Sequence, residues 1–182
     1  MKKFFLVVAV VLVAAVAANA QDKKWNVGIG GGVAIPTGDA SDYVKTGFDG
    51  FVNGMYSITP NFSIGGEINY TSLPGKSIGD FGINIGGISV GVNSDAKYND
   101  AGVTAFLAKG IYAFGNAGWR PYLGAGLGFY SHKDADTKFG GVLEGGVKYN
   151  HIGLGAAYHM AGKEEDVSFS YVQINFTYNF NF

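Results

Sequence analysis

The sequence contains no cysteine, which excludes disulfides, thiol nucleophiles and thiolate metal sites. Charge is sparse as well: Asp, Glu, Lys and Arg make up 15% of the 182 residues, and the 13 basic side chains are scattered and slightly outnumbered by 14 acidic ones. That balance builds no basic face for a nucleic acid. Histidine occurs only at His132, His151 and His159, so material for general-base chemistry is thin. No apolar run reaches the roughly 20 residues of a spanning helix. No repeat of fixed period and no linker divides the chain. What is abundant is glycine, 30 residues, beside 47% hydrophobic and 15% aromatic residues, more apolar mass than a disordered glycine polymer would carry.

At the N-terminus Lys2 and Lys3 precede the apolar run Phe4 to Ala18, and Ala18-Asn19-Ala20 supplies the small residues that a signal peptidase requires. The pattern predicts a secretory signal over residues 1–20, cleaved after Ala20, and one domain over 21–182. A retained anchor is disfavoured because the run is short and ends in small residues. Losing Lys2 and Lys3 takes the net charge from −1 to −3.

The rest of the chain is patterned at period two. From Ser168 to Phe182, Val172, Ile174, Phe176, Tyr178, Phe180 and Phe182 alternate with Gln173, Asn175, Thr177, Asn179 and Asn181. One face is apolar to the last residue and the other polar, which suits a strand with lipid outside and a lumen inside. Lys24 to Pro36 sets Trp25, Val27, Ile29, Val33 and Ile35 against Gly28, Gly30, Gly32 and Ala34. Phe62 to Thr71 sets Phe62, Ile64, Ile68 and Tyr70 against Ser63, Gly65, Glu67 and Asn69. Thr46 to Ser57, Gly102 to Phe114, Trp119 to Tyr130, Phe139 to Tyr149 and His151 to Met160 read in the same way, with glycine wherever a crowded interior leaves little room. Short turns are expected after Ser57, Phe114 and Tyr149, and longer polar loops after Pro36, Thr71, Tyr130 and Met160.

Alternating short and long connections predict an all-β fold: a transmembrane, up-and-down antiparallel β-barrel of eight strands. Phe81 to Val92 reads as a hairpin inside the second long loop, because its two arms are short for spanning strands; a ten-stranded barrel is the alternative. Under the eight-strand topology Trp25, Tyr56, Phe62, Tyr112, Phe114, Trp119, Tyr149 and Phe182 fall near periplasmic strand ends. Phe48, Tyr70, Phe129, Phe139 and Tyr158 fall near the outer ones, giving two aromatic girdles.

The chain ending, with Phe176, Tyr178, Phe180 and Phe182 at alternate positions, resembles the signal read by the outer-membrane barrel assembly machinery. Together with Arg120 to Tyr130 and Phe139 to Tyr149, it makes residues 21–182 similar to the small outer-membrane barrels, the OmpA-type transmembrane domain and OmpX/Ail-like proteins. The resemblance implies a place in the cell outer membrane, contact with its lipids and lipopolysaccharide, passing contact with periplasmic chaperones and the assembly machinery, and a monomer. It specifies architecture better than function, because such families include anchors, adhesins, complement-evading surface proteins and proteins described as porins. The resemblance is to the OmpA-type barrel without the further domain of full-length OmpA, so peptidoglycan tethering is not expected.

Inward positions carry Asp49, Glu67 and Glu144 against Lys109, Arg120 and Lys148, with His159 in the same facing class. An eight-stranded interior is just wide enough to be filled by side chains, so these groups are expected to pair into a plug. The sharper alternative is an ion gate in which Arg120 or Lys148 exchanges carboxylate partners, as proposed for OmpA-type barrels. No catalytic site is expected. Ser131-His132 would need a lipid-facing strand position and an orienting carboxylate, and neighbours on an extended chain point apart. Asp134, Asp136, Glu164, Glu165 and Asp166 lack EF-hand spacing and read as solvated loops, so no metal or cofactor is expected. The Gly-x-Gly runs at Gly28, Gly124 and Gly153 open no helix and bind no nucleotide. The expected role is envelope-structural or surface-interacting, with Tyr43, Tyr98 and the second-loop hairpin as exposed candidates. The runner-up is a narrow porin-like or OmpW-like conduit for small or hydrophobic solutes, gated by Pro74 to Asn93.

Overall fold

A computed structural model of the chain describes residues 24–76, 81–85, 88–92, 100–115, 117–132, 136–164 and 167–182. The signal segment with its cleavage point, and Tyr98, Asp134, Glu165 and Asp166, lie outside the described residues. The strands are β1 (Trp25–Thr37), β2 (Gly47–Ser57), β3 (Phe62–Leu73), β4 (Phe81–Ile85), β5 (Ile88–Val92), β6 (Ala101–Ala113), β7 (Trp119–His132), β8 (Lys138–Tyr149), β9 (Ile152–Glu164) and β10 (Val167–Asn181). One helical turn, α1 (Ala40–Tyr43), sits in the first loop.

Eight strands close into a barrel in the order β1-β10-β9-β8-β7-β6-β3-β2, every ladder antiparallel. Closure satisfies the backbone of every strand, which is the condition for a sheet in hydrocarbon. The ten-stranded alternative is excluded, because β4 and β5 pair with each other in a separate two-stranded sheet.

The period-two reading fixes which face is which. Ile29, Val33, Ile64, Ile68, Phe106, Leu123, Leu127, Leu143, Leu154 and Ile174 stand exposed on the outer wall, while Ala34, Asn69, Thr71, Val103, Leu107, Lys109, His159 and Gln173 are buried inside. In β2 the inward phase also carries Phe51 and Met55, two large apolar side chains that fill the lumen where alternation suggested polar residues alone. Gly32, facing inward, and Gly54, facing outward, differ in the room they have. A Cβ on Gly32 would strike the Ile174 carbonyl, whereas one on the outward Gly54 would meet nothing within 4 Å.

Three turns on one rim are short, residues 58–61, 114–118 and 150–151. The last reverses at Asn150, whose φ of 52° is the left-handed conformation that Asn tolerates. On the opposite rim two strands outrun their expected bounds. β9 continues past Met160 to Glu164 and β10 begins at Val167, with a β-bulge between Ser168 and Ser170. The fourth outer connection is therefore residues 165–166 and not the long loop anticipated after Met160.

Aromatic side chains meet in pairs at both rims. Trp25 lies 5.2 Å from Tyr56, Tyr112 5.1 Å from Phe114 and Trp119 5.0 Å from Tyr149, centroid to centroid; at the other end Phe129 and Phe139 meet edge-on at 5.7 Å. Ten residue steps separate Trp119 from Phe129, about 33 Å of strand, or about 25 Å of membrane normal at a tilt of about 40°. That height matches the apolar band of an outer-membrane barrel.

Candidate functional site

The lumen is a stack of side-chain layers. Lowest, toward the short turns, Met55, Ile111 and Tyr122 pack together, and Lys148 Nζ stands 4.9 Å from the centroid of the Tyr122 ring, a cation–π contact. Above them Lys109 Nζ lies between two carboxylates, 2.8 Å from Glu67 Oε2 and 2.6 Å from Glu144 Oε2. Glu67 comes from β3, Lys109 from β6 and Glu144 from β8, so the lysine must pass β7 to reach its second partner. Glycine on β7 makes that possible: a Cβ on Gly126 would lie 2.7 Å from Lys109 Cγ, and one on Gly124 would lie 2.7 Å from Glu144 Oε1. Asn53 joins through Nδ2, 3.5 Å from Glu67 Oε2, and its own Oδ1 accepts from the Gly28 amide at 3.1 Å. Beside this cluster is a cavity of about 20 Å³ lined by Asn53, Tyr122, Glu144, Lys148, Asn175, Thr177 and Asn179, room for about one water.

The next layer is buried and aromatic. His159 stacks on Tyr171 with centroids 4.7 Å apart and planes 3° from parallel, and both are fully buried. Its Nδ1 lies 3.1 Å from the Tyr130 hydroxyl and its Nε2 lies 2.9 Å from Gln173 Oε1. Tyr130 donates to the Gly141 carbonyl, Gln173 Nε2 donates to Thr71 Oγ1, and Thr71 donates to Asn69 Oδ1. Ala34, Leu73, Val103, Val142 and Ala161 surround this network.

The first loop caps the stack. Ala40 and Val44 are buried, and Val44 packs into the same cluster as Leu73. Val44 bridges Gly75 of the second loop, with Lys45 N–H donating to Pro74 O at 2.7 Å and Lys76 N–H donating to Tyr43 O at 2.8 Å.

Of the seven charged residues expected in one network, the structure brings together Glu67, Lys109 and Glu144. His159 bonds to neutral partners one layer higher, and Lys148 faces an aromatic ring. Asp49 is buried with neither carboxylate oxygen hydrogen-bonded. Arg120 departs most from expectation: it leaves the lumen, with Nε donating to Gly115 O at 2.9 Å and Nη2 donating to Pro60 O at 2.7 Å. Its place at the first step of β7 puts the guanidinium within reach of two turns whose carbonyls have no ladder partner. Arg120→Ala should therefore leave the lumen intact and cost about 1 kcal/mol, read as a small fall in the urea midpoint of the refolded barrel. A loss of several kcal/mol would return Arg120 to the central network.

Alternation placed Asn69 and Gln173 on the inward face; the residues it did not single out are Tyr130, Tyr171 and Phe51. A signal was present for all three, since each lies in the inward phase of its strand; Tyr171 shares the phase of Gln173 and Asn175, in unbroken register with β9. Phe176, Tyr178 and Phe180 face outward on β10, and Phe182 follows the strand, exchanging backbone hydrogen bonds with Trp25 at 2.8 and 3.3 Å. Ser131 and His132 end β7. His132 Nε2 lies 3.3 Å from the Ala161 carbonyl, and its ring meets Phe169 edge-on at 5.1 Å.

Residues 6–180 match the family described as outer membrane protein beta-barrel domain. The chain belongs to that family. It is an outer-membrane protein, and its neighbours among solved structures share the barrel. Neisserial surface protein A aligns with a TM-score of 0.60 and 18% identity, over 87% of this chain and 97% of that one. Ail of Yersinia pestis in a phospholipid bilayer nanodisc gives 0.53 and 14%, over 85% and 99%. OprG of Pseudomonas aeruginosa gives 0.52 and 14%, over 85% and 95%. No curated protein sequence matches the chain. At these identities the neighbours of the family member share its fold and no more.

Proposed function

We propose that this outer-membrane barrel is a closed, non-enzymatic envelope protein with a structural or surface-interaction role, its lumen plugged by side chains. The observation that carries the reading is Lys109 held between Glu67 and Glu144 beneath a buried Tyr130–His159–Tyr171 layer and the cap of the first loop. Filling of this kind leaves no continuous water path, and buried charges that pair on both sides have little reason to move. Function then falls to the outer rim, where Tyr43 is exposed on α1. The proposed partners are outer-membrane lipids and lipopolysaccharide, with chaperones and the assembly machinery during biogenesis reading Phe176, Tyr178, Phe180 and Phe182; the barrel acts as a monomer.

A narrow conduit is the second reading. One observation favours it: Lys148 stands over Tyr122 beside the polar cavity, with no hydrogen bond to a carboxylate to hold it there. Planar-bilayer recording of the refolded mature chain separates the two, with heat-dependent gel mobility to show that a barrel has formed. The closed reading expects a folded band and no discrete channel steps. Steps that change in Lys148→Ala or Glu144→Ala would establish the conduit.

A further inference from the structure

Among the described residues Asp49 is a lumen carboxylate with neither oxygen hydrogen-bonded. It is 9% exposed, on β2 near the outer rim. The basic groups of the inward phase are engaged elsewhere: Lys109 with Glu67 and Glu144, Lys148 on Tyr122, Arg120 on turn carbonyls, and His159 between Tyr130 and Gln173. A carboxylate buried without a partner either takes up a proton or gains a compensating charge. Thr71 stands directly opposite Asp49 in the β2–β3 ladder, and its hydroxyl lies 2.9 Å from Asn69 Oδ1 and 3.5 Å from the Tyr171 hydroxyl.

We propose that Asp49 is the charged ligand of a small hard cation held under the first-loop cap, with the Thr71 and Tyr171 hydroxyls and the Asn69 carbonyl as neutral oxygen donors. Hard cations take oxygen ligands of this kind, and a single carboxylate suits weak binding, of roughly millimolar affinity. Val44, bridged to Gly75, packs in the same buried cluster as Tyr171, so the ion would exchange only when the cap loosens. Occupancy would then couple the plug to the ionic composition outside the cell, independently of whether the barrel conducts.

The test uses the refolded mature chain in a zwitterionic detergent free of lipopolysaccharide, titrated with CaCl₂ or NaCl against choline chloride at constant ionic strength. The readout is the urea-unfolding equilibrium. At ten times Kd, the cation should lower the unfolding constant about tenfold, and choline should not. Asp49→Asn should remove the response while folding at least as well as the wild type in choline. A response retained in Asp49→Asn overturns the proposal in favour of surface binding. A wild type indifferent to both cations overturns it as well, and if acid alone then stabilises the wild type and not Asp49→Asn, the missing partner is a proton. Should Asp49→Asn fail to fold, Tb³⁺ is the probe: tyrosine-sensitised luminescence in the wild type, displaced by Ca²⁺ and reduced severalfold in Tyr171→Phe, supports the site, and its absence sinks it.

Discussion

Lys109→Met should destabilise the barrel by about 3–5 kcal/mol, the cost of breaking a buried ion pair from one side. Methionine fills most of the space that the lysine stem occupies, so the loss is electrostatic rather than a cavity. What remains is Glu67 on β3 and Glu144 on β8, both largely buried, with no cation between them. One of them must take a proton or draw in water. Glu67→Gln/Lys109→Met/Glu144→Gln should recover most of the loss, because replacing all members of a buried network is far cheaper than orphaning some of them. Urea unfolding followed by tryptophan fluorescence measures both variants. Should the single substitution cost under about 1 kcal/mol, the cluster is wetted by solvent and the plug is not what holds the lumen closed.

Gly32→Val should abolish barrel formation, whereas Gly54→Val should be nearly silent. Gly32 faces inward on β1, where an added Cβ meets the Ile174 carbonyl and lies 2.8 Å from Asn175 Cα of β10. Backbone cannot yield there without separating β1 from β10, the ladder that closes the cylinder. Gly54 points at lipid, and valine there gains strand propensity at no steric cost, within about ±0.5 kcal/mol. Heat-dependent gel mobility after refolding distinguishes them: no folded band for the first, a wild-type band for the second. Equal behaviour of the two variants would mean that the inward and outward faces of β1 and β2 are wrongly assigned.

The barrel was legible because lipid and lumen impose opposite chemistry on alternate residues, and that alternation survives in β1, β3, β9 and the C-terminal half of β10. The ends of strands were less so. β9 runs on past Met160 to Glu164 because a hairpin at the rim needs only hydrogen bonds, and the inward phase persists there in the buried Ala161. The lumen network was legible in membership but not in partnership. Alternation gives a face and not a height, and which charges meet depends on the stagger between neighbouring strands, which sets Glu67, Lys109 and Glu144 level while leaving Asp49 above them. Arg120 lies on the same face as Lys109 in pattern, yet its long side chain turns outward to carbonyls that belong to turns. Phe51 and Met55 show a further limit: a large apolar residue in an inward phase is invisible to a rule that expects polarity inside.

The ladder between β1 and β10 differs from all others in what it asks of the chain. Seven ladders join strands that are neighbours in the barrel sequence, whereas this one aligns Asn26 with Asn181. Its loop-closure entropy must be met almost in full before any of its hydrogen bonds form. Until then β1 and β10 are two raw edges, each costly in hydrocarbon and each a template for a foreign strand. Folding of this protein is thus a race between its own two outermost strands finding each other and either finding something else, and a catalyst that shields one edge would change the rate of the process without changing any contact in the finished barrel.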